Sequence, residues 1–249
     1  MIIVTGANGF IGSALVWELN KLGRTDIVCT DTTSVGERPE PLAEKDFEYF
    51  FLTEEFFDHL NTLPEKVDCV YHMGACSNTT ETNWPYLLEN NVKYSQRLFQ
   101  YCADQRVPFI YASSAAVYGD GQLGFDDQEI HKDYEPLNLY GKSKLVFDQW
   151  VLQQKQTPPN WYGLRFFNVY GPGEYHKENM RSVVLKAFEQ IKDRGQLQLF
   201  RSHRPDFNDG EQMRDFIYVK DITKWMTAMP KQKGPNGIYN MGSGTARTW

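Results

Sequence analysis

The sequence predicts an α/β protein: a doubly wound parallel sheet followed by a smaller C-terminal region. Three observations carry this. Short apolar runs bounded by turn residues alternate with stretches of helical periodicity from the first residue on, the pattern of parallel βαβ units. A glycine-rich turn, Gly6 to Gly12, joins the first apolar run to the first helical stretch. After Phe167 the rhythm gives way to loops rich in Gly, Pro and charge. Residues 1–167 are therefore read as the sheet-based unit, and 168–249 as a smaller region interleaved with the sheet.

Ile2–Val4 is expected to be a buried strand. Ile11, Ala14, Leu15, Leu19 and Leu22 then recur at the spacing of one helix face, and Gly23 closes that helix. A second strand is predicted over Ile27–Thr30, ending at Asp31. Cys69–His72 and Phe109–Ser113 are further predicted strands, with a long amphipathic helix over Tyr86–Gln105 between them. A helix is predicted from about Tyr140 to Gln156, and strand again over Trp161–Phe166. Gly171–Asn179 and Ser202–Gln212 read as loops, with helical stretches near Ser182–Arg194 and Asp221–Met229 interspersed with short strands. No internal repeat or low-complexity tract interrupts this order.

Composition narrows the function class. Hydrophobic residues at 41% and charged residues at 23% are those of an ordinary globular protein, and 249 residues suffice for a full core. A net charge of −6 gives no electrostatic reason to expect a nucleic-acid or membrane-surface partner. Backbone amides could still hold a small anion. Cys29, Cys69, Cys76 and Cys102 are spread without a C-x-x-C pair or metal-like clustering with histidine, which reads as reduced thiols and no metal site. No apolar run approaches the ~20 residues of a membrane span, and the N-terminus lacks a basic leader, so a cytoplasmic protein is expected.

The chemistry begins at Gly6-Ala7-Asn8-Gly9-Phe10-Ile11-Gly12. Glycines after a strand allow a tight turn and close approach of a pyrophosphate to a helix N-terminus, as in Rossmann-type dinucleotide binding. The spacing, G-x-x-G-x-x-G, is one residue longer than the common fingerprint. Asp31, ending the second strand, can accept hydrogen bonds from adenosine ribose hydroxyls, or can simply cap a turn. It favours NAD, whereas Arg38 could neutralise the 2′-phosphate of NADP; these residues leave the preference open. Tyr140 and Lys144 are four apart, hence on one helix face. An ammonium beside a phenol stabilises the phenolate, which makes Tyr140 a candidate proton acceptor from a hydroxyl as hydride leaves the adjoining carbon. Lys144 can also bind the nicotinamide ribose, and Ser114, at a strand end, can hydrogen-bond the same substrate oxygen. The alternative for Tyr140 and Lys144 is a surface aromatic beside a solvated lysine.

T-G-A-N-G-F-I-G, S-S-A-A-V-Y-G around Ser114, the Y-x-x-x-K pair, R-F-F-N-V-Y-G-P at Arg165–Pro172 and M-R-D-F-I-Y-V-K-D at Met213–Asp221 together resemble the extended short-chain dehydrogenase/reductase superfamily. The resemblance covers essentially the whole chain and implies a nicotinamide-dependent enzyme acting on a nucleotide-linked sugar. Ala115 and Ala116 stand where the sugar dehydratases carry Asp-Glu and where reductases of the GDP-fucose-synthase kind carry a cysteine, so the resemblance implies an epimerase.

Two segments, H-M-G-A-C-S-N-T-T-E at His72–Glu81 and Y-G-P-G-E-Y-H-K at Tyr170–Lys177, are similar to those of the ADP-glyceromanno-heptose 6-epimerases. That resemblance implies inversion of C6″ of ADP-D-glycero-D-manno-heptose by transient oxidation, serving lipopolysaccharide core assembly. It implies NADP as cofactor, with NAD the alternative, and a homo-oligomer, specifically a homopentamer. Carried over by match, Tyr140 is one acid/base and Lys177 the other, with Ser114 and Lys144 completing the catalytic set. Gly6, Gly9, Phe10, Ile11, Gly12, Asp31, Thr32, Arg38, Ala75, Asn90 and Lys144 would contact the dinucleotide. Ser114, Asn168, Asn179, Lys186, Phe200, Arg201 and Arg214 would line the nucleotide-sugar pocket. By composition alone, Lys177 in its charged loop would be a solvated lysine; only the resemblance assigns it a role.

The sequence departs from that pattern at Met73, where a Glu is usual, at Arg38, where a Lys is usual, and in a longer loop at Arg204–Gln212. It also stops at Trp249, where members of the superfamily continue, so the substrate region is expected to be incomplete at its C-terminus. Two other readings stand beside this one: a UDP-hexose 4-epimerase on the same scaffold, and a non-catalytic dinucleotide-sensing module.

Overall fold

A computed structural model describes the chain except residues 129–132, 200, 203–204, 206–207, 233 and 249. Its elements run β1 (Ile2–Thr5), α1 (Phe10–Lys21), β2 (Ile27–Asp31), β3 (Tyr49–Leu52), α2 (Phe56–Leu60), β4 (Cys69–His72), α3 (Trp84–Leu87) and α4 (Tyr94–Asp104). They continue β5 (Phe109–Ser114), α5 (Leu139–Leu152), β6 (Trp161–Phe166), β7 (Asn168–Tyr170), α6 (Val183–Arg194), β8 (Arg214–Tyr218), α7 (Val219–Ala228), β9 (Gly237–Met241) and β10 (Ala246–Arg247).

Seven strands form one parallel sheet in the order β3-β2-β1-β4-β5-β6-β9. Strand order reverses beside β1, where β2 lies on one side and β4 on the other. In such sheets ligands bind outside the carboxyl ends of the strands at that point. A small second sheet, β10-β8-β7, carries part of the chain beyond residue 167. The Rossmann-type α/β fold expected from the alternation is the one observed.

The core follows from the two-residue period of a strand. Ile2 and Val4 point to one face, where they join Leu15, Leu19, Ile27, Leu164, Ile222 and Met226. Ile3 points to the other, among Val28, Val70, Leu98, Phe99, Phe109, Phe147 and Trp161. Both faces are covered by helices, which is why β1, β4 and β6 are buried along their whole length and read as apolar runs.

Several elements differ from expectation. Gly23, in the left-handed region at φ +77°, follows α1 as predicted. The helix predicted over Tyr86–Gln105 begins earlier, at Trp84, where the Asn83 side chain accepts from Tyr86 N. It then widens into a π-helical segment, Leu88–Lys93, before α4. The helix of Tyr140 starts at Leu139, capped by Asn138, and ends at Leu152. Gln154 then turns back to donate to the Trp150 carbonyl at 2.7 Å. β3 was not expected as a strand, and the short strands expected after Phe167 were not located by the sequence pattern. β9 extends the main sheet beside β6, and α7 packs on α1, so residues on both sides of 167 build the sheet unit. No helix among the described residues is long and apolar enough to cross a membrane.

Candidate active site

The glycine turn leaves no room for side chains. Gly6 has φ +64°, a conformation L side chains rarely adopt. A Cβ on Gly12 would lie 2.0 Å from the Gly6 carbonyl oxygen. On the far side, a Cβ on Gly74 would lie 2.9 Å from Gly6 N. The N-cap of α1 is Gly9, which offers no side-chain acceptor, so the amides at the start of α1 remain free for a ligand anion.

Asp31 organises the next loop. One carboxylate oxygen accepts from Asn8 N at 3.0 Å, and the other from Thr32 N at 2.8 Å and Thr33 N at 3.3 Å. The Asn8 amide donates to the carbonyls of Thr33 and Ser34, both at 3.2 Å. Arg38 donates to Asn8 O and Thr33 Oγ1, both at 3.4 Å, so its guanidinium closes the same loop.

At the end of β5 the predicted catalytic residues meet. Ser114 is the last residue of the strand, and its hydroxyl lies near the Tyr140 phenol. Burial pushes that phenol above its ordinary value, and the Ser114 hydroxyl works against the shift. Lys144, one turn along α5, is buried and donates to the Ala112 carbonyl at 2.8 Å. Burial pushes its ammonium down to about 8, with Asp148 opposing.

A buried polar chain supports this end of the sheet. The Ser95 hydroxyl donates to Asn91 O at 2.7 Å, so the 2.8 Å contact from His72 Nε2 must donate to Ser95 Oγ. His72 Nδ1 then accepts from Thr5 Oγ1 at 2.7 Å, and Thr5 Oγ1 accepts from Gly74 N at 3.0 Å. The Asn91 amide donates to Cys76 O at 3.0 Å and Ser143 Oγ at 2.9 Å, while its oxygen accepts from Cys76 N at 2.8 Å. The glycine turn, the Cys76 segment and α5 are thus held by one network of uncharged groups.

Lys177 lies in a 3-10 segment, Tyr175–Met180, rather than the open loop expected. Its ammonium sits 5.5 Å from the centre of the Phe10 ring, at the first residue of α1. Burial pushes this ammonium down, and Glu174 opposes. Glu174 is itself buried; it accepts from Gly171 N at 3.1 Å, from Ser182 Oγ at 2.7 Å and from Ser182 N, closing the loop on itself. His176 is pushed down by burial and then by the neighbouring charges of Arg38 and Lys177.

The structure therefore brings Ser114, Tyr140 and Lys144 together, and sets Lys177 against the glycine turn. Of the predicted sugar-pocket residues, Lys186 donates to Asn179 O at 2.7 Å, and Asn168 to Asp215 O at 3.1 Å. Arg214 and Arg201 are exposed. Phe200 lies outside the described residues. Asn90 donates to Tyr86 O at 2.8 Å along its own helix, whereas its neighbour Asn91 is the one turned inward. Asn91, Glu174, Asp148 and Arg165 were not singled out from sequence. The only signal for Glu174 was its place in the motif that carries Lys177.

Comparison with known proteins gives three findings. The profile of the NAD dependent epimerase/dehydratase family matches residues 2–242. An ADP-L-glycero-D-manno-heptose-6-epimerase of Nitratidesulfovibrio vulgaris (strain DP4) is 49% identical over 252 residues, covering 100% of this chain and 78% of that protein. Among solved structures, the Helicobacter pylori ADP-L-glycero-D-manno-heptose-6-epimerase is similar at a TM-score of 0.82 and 29% identity, over 99% of this chain and 77% of that one. MoeE5 in complex with UDP-glucuronic acid and NAD is similar at 0.71 and 27%, over 99% and 78%.

Proposed function

The chain belongs to the NAD dependent epimerase/dehydratase family, and from that premise we propose that it inverts C6″ of ADP-D-glycero-D-manno-heptose to give the L-glycero epimer. The observation that carries the reading is the Tyr140 phenol beside the Ser114 hydroxyl, one helical turn from buried Lys144, with a glycine turn whose Gly6 and Gly12 admit no side chain. Identity of 49% to a heptose epimerase along the whole chain supports the substrate.

The cradle fits a dinucleotide, because any Cβ at Gly12 would fill the space in which the turn closes. Amides of Phe10–Gly12 would hold the pyrophosphate, with Gly6 and Gly9 shaping the turn. Asp31 and Thr32 would hold the adenosine ribose, Ala75 and Asn90 would border the dinucleotide, and Lys144 would hold the second ribose. When bound, the dinucleotide supplies a reversible hydride acceptor. Tyr140 takes the proton of the sugar hydroxyl, Ser114 orients that oxygen, and the Lys144 ammonium favours the phenolate. Lys177 serves as the second acid/base on the opposite face of the ketone, which lets the sugar be reduced from the other side. Asn168, Asn179, Lys186, Arg201 and Arg214, with Phe200, would line the sugar-nucleotide pocket. Asp31 supports NAD ahead of NADP: its carboxylate repels a 2′-phosphate, and Arg38 is already engaged by Asn8 and Thr33. We also propose that residues 1–167 hold the dinucleotide, with 168–249 a substrate region interleaved with the same sheet, and further a homo-oligomeric, pentameric assembly and a cytoplasmic location.

The test is to incubate the protein with ADP-D-glycero-D-manno-heptose and NAD and follow C6″ configuration by NMR. Turnover that is lost in Tyr140→Phe is expected. Unchanged heptose with folded, dinucleotide-loaded protein rejects the substrate, and turnover of UDP-galactose offered in parallel would replace it with a hexose.

A further inference from the structure

Asp148 lies one helical turn beyond Lys144 and two beyond Tyr140, so α5 presents all three on one stripe. Its carboxylate is fully buried and accepts three hydrogen bonds: from Tyr111 Oη at 3.0 Å, Ser113 Oγ at 2.9 Å and Arg165 Nε at 3.1 Å. These donors come from β5 and β6, whose register sets Ser113 opposite Arg165. Arg165 is also fully buried, its guanidinium 4.9 Å and 5.5 Å from the ring centres of Tyr118 and Tyr134. The proposed reaction uses neither residue directly.

A buried ion pair is not in itself a source of stability, because desolvating both charges costs several kcal/mol. An apolar pair of similar size would hold the helix to the sheet as well. What it would not do is place a carboxylate one turn from Lys144; burial raises the Asp148 carboxyl, and Arg165, Ser113 and Tyr111 oppose that shift and favour its charged form. That lysine is 5% exposed, and its hydrogen bond is to a neutral carbonyl, Ala112 O. Burial drives it towards the neutral amine; Asp148 is the largest influence opposing this, followed by the Cys76 thiol. The remaining neighbours supply no counter-charge. On β4, His72 is held neutral by burial. The phenols of Tyr111 on β5 and Tyr140 on α5 are pushed up by burial. Arg165 on β6 is engaged with Asp148.

We infer that Asp148 is a positioning residue for the Tyr140–Lys144 pair: with Arg165 as its counter-ion, it pins α5 in register on β5 and β6 and keeps Lys144 an ammonium. The inference rests on the roles proposed above for Tyr140 and Lys144.

The experiment is kcat against pH for wild type and Asp148→Asn. A charged Lys144 is present at low pH and lost as pH rises, so activity falls on an alkaline limb. Removing a negative charge one turn away lets the proton leave earlier, and the limb is expected to move down by roughly one pH unit. Well above the limb, that is about a tenfold loss. Because Asp148→Asn leaves the Arg165 charge buried and unpaired, the double variant Asp148→Asn/Arg165→Leu removes both charges together and carries the same expectation. Circular dichroism confirms that each variant is folded. A folded variant with an unmoved limb overturns the inference. Activity that survives Tyr140→Phe and Lys144→Met instead overturns the underlying roles, whatever Asp148 does.

Discussion

The Lys177 ammonium stands 5.5 Å from the centre of the Phe10 ring, joining the Tyr175–Met180 segment to the first residue of the dinucleotide helix. The two parts are far apart in sequence. Their contact places a second titratable cation, besides Lys144, at the C-terminal edge of the sheet. Burial already lowers its proton affinity, which suits a group that must both give and take a proton.

Replacing Lys177 with Met keeps the bulk against Phe10 and removes the proton. The expected result is a fall in kcat of about 10²–10⁴-fold, the usual contribution of one acid/base group. Dinucleotide binding, followed by nicotinamide fluorescence, is expected to persist. An unaltered kcat would remove Lys177 from the chemistry.

Gly12→Ala is expected to be damaging in a way that Gly23→Ala is not. At position 12 the added carbon would lie 2.0 Å from the Gly6 carbonyl oxygen, whereas at Gly23 it meets nothing within 4 Å. Gly23→Ala carries only the strain of a positive φ, about 1 kcal/mol. Thermal melting with and without NAD separates them: Gly12→Ala loses the NAD-induced rise in Tm, and Gly23→Ala keeps it.

His72 makes stability depend on pH. Its folded value is pushed down to about 3 by burial, against 6.5 for a free imidazole. Between those values only the unfolded chain binds the proton, so stability is whole above about pH 6.5 and declines as pH falls. The slope is about 1.4 kcal/mol per pH unit. Urea midpoints measured from pH 7.5 to 5 are expected to fall in wild type and to flatten in His72→Gln. Equal slopes in the two proteins would contradict this account.

The parallel strands were legible because burial on both faces turns them into apolar runs, as at Ile2–Val4 and Trp161–Phe166. β3 was hidden because Tyr49–Leu52 is only half buried and flanked by acidic residues. β9, which opens on Gly237 and carries Asn240 next to its end, lacks such a run. Ser114, Tyr140 and Lys144 were readable from spacing, since one strand end and one helix face suffice to bring them together. Asn91 was not. Its inward turn depends on the π-helical segment, and an identical residue precedes it. Asp148 and Arg165 had no pairing signal of their own; their union depends on how β5 and β6 align, which no local pattern encodes.

β9 has a consequence for how the molecule is made. β6 ends at Phe166, yet its outer neighbour is not synthesised until Gly237–Met241. A nascent chain leaving the ribosome therefore carries an open strand edge while the whole intervening stretch is translated. Such an edge is a template for pairing with another chain. During biosynthesis the hazard of aggregation at the Trp161–Phe166 flank persists until Gly237–Met241 is made.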